Sequence, residues 1–408
     1  LSERETYQKM DGFGFAITGG SAQHLNTMNP SARANLLQEL FGSGDADLKL
    51  SFLRISIGAS DLDAEPFSYA DTEGNVPDTD LNSFTLAKDE ETLIPIVREI
   101  LQINPDIKLM ASPWSAPVWM KSNNKTIGGS LLPEYYDVYA NYFVKYIKEM
   151  SDYGINIDFI TIQNEPLHDG NNPSMHMTAE EQAAFIGSYL GPAFTAAGIT
   201  TRVLAYDHNV DRIDYPLTVL GDSVAHSYIH GSAYHLYGGQ ISDLTDVHFQ
   251  YPDKGIYFTE QWYGSPGDFS ANLQWHIREV VIGSIRNWSK GVIEWNLSSN
   301  SALEPHTDGG CDQCLGAITI DGDKVIRNAG YYVIGHISSF VPPGSHRISS
   351  TYYQNFPNVA FSTPENDIVL LVLNDTDDTQ VVSVNHSEAQ FSVRLKSGSV
   401  ATFKWKNE

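Results

Sequence analysis

For about its first 300 residues this chain alternates short apolar runs with longer segments of three- and four-residue periodicity. That alternation constrains the fold more than any other feature. Strands separated regularly by helices build a parallel sheet, not separate all-α and all-β layers. Strand-like runs fall near 11–17, 49–57, 107–112, 157–163, 202–206, 231–236, 255–260 and 291–296. Eight is the number that closes a (β/α)8 TIM barrel. Several runs are continuously apolar, as strands covered on both faces must be.

The segments between them carry helix signals. Asn29-Pro30 supplies an N-cap and a first-turn proline ahead of Leu36, Leu37, Leu40 and Phe41. Over 133–150, Tyr136, Tyr139, Ala140, Phe143, Val144, Ile147 and Met150 share one helical face. Thr178 with Glu181 forms a capping box. After about residue 325 the texture changes to short strands with turns between them, at 368–373, 381–384, 391–395 and 400–405. The fold class read here is α/β: a barrel over 1–325 and a C-terminal antiparallel β-sandwich over 326–408. A chain of 408 residues exceeds what one compact core usually holds, which agrees with two bodies.

Charge narrows the partners. A net charge of −25 repels nucleic acid and anionic membrane surfaces, and it suits a neutral substrate such as a carbohydrate. No apolar stretch approaches the roughly 18–20 residues that span a bilayer. The chain opens Leu-Ser-Glu without an initiator methionine, as a processed or trimmed product would. The low Lys content and few thiols point to a secreted, periplasmic or cell-surface location, and a monomer is expected. The two cysteines, Cys311 and Cys314, stand as a lone Cys-Asp-Gln-Cys among glycines. Zinc normally takes four ligands and no second pair is present, so the motif reads as a local loop staple or as free thiols.

The strand ends hold the chemistry. Thr161-Ile-Gln-Asn-Glu165-Pro and Tyr257-Phe-Thr-Glu260-Gln-Trp262 each carry a buried run into a glutamate, at the fourth and seventh strands. The C-terminal lip of barrel strands is where such folds place catalysis. Two carboxyls from opposite sides of the mouth suit a retaining glycosidase, which needs one protonated acid and one ionised nucleophile about 5–5.5 Å apart. Asn164 could strengthen a bond to the sugar 2-hydroxyl. Arg54 either holds the nucleophile ionised or forms a purely structural ion pair. His235 and Tyr237 either orient the carboxyls or, for His235, fill the core. Trp114 and Trp295 offer faces for sugar stacking, whereas Trp119 reads as core. Asp61, Asp207-His208 and Glu294 are further polar strand ends.

These residues sit in longer motifs that resemble glycoside hydrolase family 30. They are Gly12-Phe-Gly14, Arg54-Ile-Ser-Ile-Gly58 with Asp61, Ala111-Ser-Pro-Trp-Ser-Ala-Pro-Val-Trp-Met-Lys121, Gln163-Asn-Glu-Pro166, Phe258-Thr-Glu260 and Gly335-His-Ile-Ser-Ser-Phe-Val-Pro-Pro-Gly-Ser-His-Arg347. The likeness spans nearly the whole chain. That family contains lysosomal-type glucosylceramidases and microbial endo-β-1,6-glucanases. The resemblance implies a barrel with a side β-sandwich, a retaining double displacement, and no cofactor or metal. It makes Glu165 the acid/base and Glu260 the nucleophile. Asp61, Trp114, Asn164 and Trp295 then bind the sugar in the −1 subsite, with His235 and Tyr237 supporting. The family's sandwich usually borrows a strand from ahead of the barrel; only about ten residues precede Asp11, so either these residues form a short version of that strand or it is missing here. The loop from Asn300 to Cys314 has no counterpart in these motifs.

Gly14-Phe-Ala-Ile-Thr-Gly-Gly-Ser-Ala22 and the Phe-Thr-Glu-Gln-Trp context look closer to the β-1,6-glucanase group. Endo-β-1,6-glucanase activity on a β-linked glucan is therefore expected, with a glucosylceramidase or exo-acting β-glucosidase as the alternative. A carbohydrate-binding protein on a degenerate hydrolase scaffold is the non-enzyme alternative. Retention of a costly close pair of acids argues against it. A metal-dependent barrel hydrolase would show His-x-His on the first strand, where this chain has Asp-Gly-Phe-Gly-Phe.

Overall fold

The computed structural model describes residues 1–386 and 389–407 of the chain. Its strands Gly12–Ile17, Phe52–Ile57, Lys108–Pro113, Phe159–Thr161, Arg202–Asn209, Ile229–His235, Gly255–Glu260 and Ser289–Asn296 close into one barrel. All eight neighbouring pairs are parallel. They are numbered here one to eight in chain order.

Helices cover the outside where the periodicity places them. Asn29 caps Pro30–Phe41 by accepting from the Ser31 N–H, and Thr178 and Glu181 form the reciprocal capping box of the helix that starts at Ala179. Helix Tyr136–Asp152 buries Tyr139, Tyr142, Phe143, Tyr146 and Met150 in one aromatic-rich face. The last βα unit is completed by helix Ala329–Ser338, which packs on the first barrel strand.

The barrel interior is layered with the two-residue period of its strands. Its floor is apolar: Phe52, Met110, Phe159, Leu204, Ala233, Tyr257 and Ile293, one from each strand except the first. Phe159 stacks at 5.4 Å from Phe52 and 5.1 Å from Tyr257. The first strand is glycine here for a steric reason, since a Cβ on Gly14 would lie 2.0 Å from the Phe52 carbonyl oxygen. One step toward the C-terminal mouth the layer becomes polar: Arg54, Ser112, Thr161, Asp207, His235 and Thr259, with Trp295. Six of these seven lie two residues past the floor residue of their strand. Asp207 lies three past Leu204, because the fifth strand shifts register between Tyr206 and His208.

The C-terminal body is a five-stranded sheet in the order Ser2–Lys9, His346–Ser349, Asn358–Ser362, Asp367–Leu373, Val400–Lys406. The chain's first strand thus pairs antiparallel with His346–Ser349, as the family likeness implies. One face packs Ile348, Ala360, Ile368 and Leu370 against the ribbon of Gln380–His386 and Ala389–Leu395. The other places Val359, Phe361, Val369 and Leu371 in the main core of the barrel. Arg278 pairs with Asp375 at 2.9 Å across the same boundary. The central strands of the sheet are thus buried on both faces, against the ribbon on one side and the barrel core on the other.

Phe159→Ala would leave a cavity in the barrel floor. A loss of about 3–5 kcal/mol is expected by urea unfolding. A loss below about 1 kcal/mol would mean that the floor is not close-packed.

Candidate active site

The fourth strand ends early, at Thr161, and its continuation turns across the mouth. The Asn164 N–H donates to the Pro113 carbonyl at 2.7 Å, and the Glu165 N–H donates to that of Asp207 at 2.9 Å. The Gln163 amide donates to the Trp114 carbonyl at 2.6 Å. These bonds hold Glu165 at φ +47°, a left-handed conformation that costs a non-glycine residue about 1 kcal/mol or more. Glu260 instead sits on the last residue of the seventh strand in ordinary extended backbone. The two carboxyls meet over the barrel axis. A carboxylate oxygen of each, together with a ring nitrogen of His235, lies within 4.8 Å of the others. That closeness belongs to the retaining geometry, since inverting pairs stand about 6.5–9.5 Å apart.

Beneath them the polar layer is a closed hydrogen-bond network. Arg54, with no exposed surface, donates from Nη1 to Glu260 Oε2 at 2.5 Å. Its Nη2 donates to Asn164 Oδ1 at 2.7 Å and to Asp207 Oδ2 at 2.8 Å, and its Nε to the Ser112 hydroxyl at 3.2 Å. Asp207, equally buried, also accepts from the hydroxyls of Thr161 at 2.6 Å and Thr259 at 2.7 Å. His235 bridges the layers: Nε2 lies 3.2 Å from Asp207 Oδ1 and Nδ1 3.1 Å from Glu165 Oε1. The Tyr237 hydroxyl donates to Glu260 Oε1 at 3.0 Å.

The charges follow from these contacts. Burial disfavours ionisation of Asp207, but Arg54, His235 and Thr161 hold it far below the usual carboxylate range. Burial likewise opposes the His235 imidazolium, yet Glu260, Asp207 and Glu165 raise it to about 9. Burial, reinforced by the Glu260 charge, pushes Asp61 up to about 7. Glu165 and Glu260 titrate as a pair. Taken singly, burial of Glu165 is outweighed by the bond from His235, which lowers it. For Glu260, burial and the neighbouring Glu165 outweigh His235 and Arg54, which raises it. Together they lose one proton early and retain the other. Glu260 receives a guanidinium and a phenol, whereas Glu165 receives the His235 ring, which its carboxylate neighbours hold charged up to about pH 9.

Above the pair opens a cavity of about 440 Å³ lined by Asp61, Trp114, Asn164, Glu165, Tyr237, Glu260 and Trp295, all expected from sequence. Arg54 and His235 lie one layer below it. Trp114 and Trp295 stand 5.4 Å apart at 32°, with the Arg54 guanidinium 4.9 Å from the Trp114 ring. Trp119 is core, its indole N–H donating to the Ala70 carbonyl at 2.7 Å. The remaining lining is His168, Asn171, His208, Asn209, Trp262, Cys311 and Cys314. In the sequence Asp207-His208 is a polar strand end with no place assigned by the alternation. The register shift is why: by simple alternation from Leu204, Tyr206 would point inward. Among the described residues, Glu165, His235 and Glu260 also form the one cluster with metal-ligand spacing. Both His235 nitrogens are already engaged by carboxylates, and a cation there would face Arg54, so the donor set suits proton handling.

Residues 10–341 match the Glycosyl hydrolase family 30 TIM-barrel domain, and residues 344–403 match the family's beta sandwich domain. The chain belongs to glycosyl hydrolase family 30. This family-30 hydrolase is 32% identical over 420 residues to the endo-1,6-beta-D-glucanase BGN16.3 of Trichoderma harzianum, covering 97% of this chain and 84% of that one. It is 26% identical over 437 residues to the lysosomal acid glucosylceramidase of Mus musculus, covering 100% and 83%. A solved endo-beta1,6-glucanase structure superposes with a TM-score of 0.93 at 37% identity, covering 100% of this chain and 93% of that one.

In this hydrolase Asp207→Asn would remove one of the two carboxylates paired with Arg54 and present amide hydrogens to donors. A destabilisation of about 3–5 kcal/mol is expected by urea unfolding. A second expectation concerns His235. Its folded value of about 9 exceeds the ordinary 6.5, so its contribution to stability is complete below pH 6.5 and is lost as pH approaches 9. The wild-type unfolding midpoint should fall across that window more steeply than that of His235→Gln. Parallel curves would contradict the charged, bridging role.

Proposed function

We propose that this hydrolase is an endo-β-1,6-glucanase that works by double displacement, with Glu260 as nucleophile and Glu165 as acid/base. The facing of these two carboxyls across less than 5 Å is the observation that carries the reading. Glu260, as the carboxylate that accepts from Arg54 and Tyr237, attacks the anomeric carbon. Glu165 gives its proton to the leaving glycosidic oxygen as that bond breaks. A covalent glycosyl-enzyme results, and Glu165 then takes a proton from the water that releases the sugar with retained configuration. Asn164, fixed by Arg54, faces the sugar ring hydroxyls, while Trp114 and Trp295 supply its stacking wall. Asp61, Tyr237 and His235 complete the set.

Relatives named endo-1,6-beta-glucanase support the linkage, and so does the cavity. Its lining is carboxyl, amide, imidazole, aromatic and disulfide, with no aliphatic side chain to receive a lipid tail. That composition favours a glucan over a glycosylceramide. The net charge of −25 fits a neutral polymer, and the disulfide fits action outside the reducing cytosol.

Digestion of β-1,6-glucan followed by mass analysis tests the reading. Ladders of gluco-oligosaccharides are expected; glucose as sole product, or no release while glucosylceramide is cleaved, would overturn it. Glu260→Gln should lower turnover on the order of a thousandfold or more. Glu165→Gln should slow poor leaving groups most. The pH profile should be bell-shaped on the acid side of neutral, rising as Glu260 ionises and falling as the pair loses its retained proton.

A further inference from the structure

The Cys-Asp-Gln-Cys motif and the loop before it remain unexplained by the catalytic pair. In the structure this loop is a strap across the barrel mouth. The Thr307 N–H donates to the Asp61 carbonyl at 2.9 Å, and the Thr307 hydroxyl bonds the Asn172 carbonyl. The Asn172 amide returns a bond to the Asp308 carbonyl at 2.9 Å. The strap so joins the loop after the second strand to the loop after the fourth. Gly310 has to be glycine, because a Cβ there would lie 2.4 Å from the Asp61 carbonyl oxygen.

The strap ends in a disulfide between Cys311 and Cys314. Cys314 pairs with Gly264, four residues beyond Glu260, and the Ser265 N–H donates to the Gln313 carbonyl at 2.9 Å. At the other end, the Cys311 N–H donates to Asp61 Oδ2 at 3.3 Å. Cys314 is buried against Trp114 and Trp295, with half-buried Cys311 and Trp262 packed beside them, and both sulfur-bearing residues line the cavity. The bridge thus ties the residue whose N–H holds the Asp61 carboxyl covalently to Cys314, whose backbone pairs with the segment that follows Glu260.

We propose that the Cys311–Cys314 disulfide is a positioning element of the sugar site, presenting the Cys311 N–H to Asp61 and walling the cavity, so that its reduction weakens substrate binding. This rests on the glycosidase reading of the same cavity. Without the bridge, Cys311 is held to the site by one hydrogen bond at 3.3 Å, while Cys314 keeps its pairing with Gly264. Reduction by a dithiol is balanced. A reagent thiolate attacks Cys311 Sγ, the Sγ–Sγ bond breaks, and Cys314 leaves as thiolate. The second reagent thiol then resolves the mixed disulfide. Two electrons and two protons pass to the cysteines, and the reagent leaves as a cyclic disulfide.

The test compares wild-type enzyme before and after treatment with dithiothreitol, with thiols counted, alongside the Cys311→Ser/Cys314→Ser double variant. On β-1,6-glucan, KM should rise about tenfold on reduction, the worth of one good hydrogen bond, while kcat holds. The double variant should show the raised KM with or without reductant. An unchanged KM after complete reduction overturns the proposal, as does a fall in Tm with KM intact, which would assign the bridge to stability alone. Binding of β-1,6-linked gluco-oligosaccharides to Glu260→Gln protein, oxidised and reduced, separates this from the parent reading. Equal affinity in both states sinks the disulfide's role even where the enzyme cleaves glucan. Weaker affinity on reduction supports it even if the products of the active enzyme prove to be something else.

Discussion

One buried ion pair, Arg54 with Asp207, organises everything above it. Two opposite charges without exposed surface are costly to bury, and such a pair is tolerated only when its remaining donors and acceptors are satisfied. Here they are. Asp207 accepts from four donors and Arg54 donates to four acceptors, drawn from six of the eight barrel strands. The pair is less a source of stability than a rigid electrostatic platform, and the two glutamates rest on it.

That platform gives two similar side chains different surroundings. Glu260 touches the platform's permanent cation directly, whereas Glu165 reaches it only through the titratable ring of His235. Glu260 ends the seventh strand beside Arg54, whereas Glu165 lies beyond the end of the fourth. The backbone contributes as well. The left-handed turn at Glu165 and the register shift at Asp207 both depart from regular strand geometry, and the Glu165 N–H bonds the Asp207 carbonyl directly. Irregularity concentrates where the chemistry is, and the apolar floor below is regular.

Much of this was legible before any coordinates. The eight strands, the capping signals at Asn29 and Thr178, and the two glutamates at opposite lips follow from local patterns that tertiary packing reinforces. Asp207 was harder, because alternation along the fifth strand points Tyr206 inward until a bulge reverses the count. His235 posed a different problem. Sequence alone offered orienting residue or core residue as alternatives, and the structure makes it both: it has no exposed surface and it touches both acids' surroundings. The loop to Cys314 carried no periodicity to read, since its partners lie on three separate strand ends.

By itself the sequence determined the barrel, the two-body organisation and the identity of the facing carboxyls, since each is written in hydrophobic period or in residues contiguous along the chain. The tertiary structure alone decided which donors each carboxyl meets, which polar residues turn inward, and what stands across the cavity from the acids. Those depend on distances between residues up to 250 positions apart, as for Asp61 and Cys311. A local pattern cannot encode such distances, because electrostatics and hydrogen bonding act through space while periodicity acts along the chain.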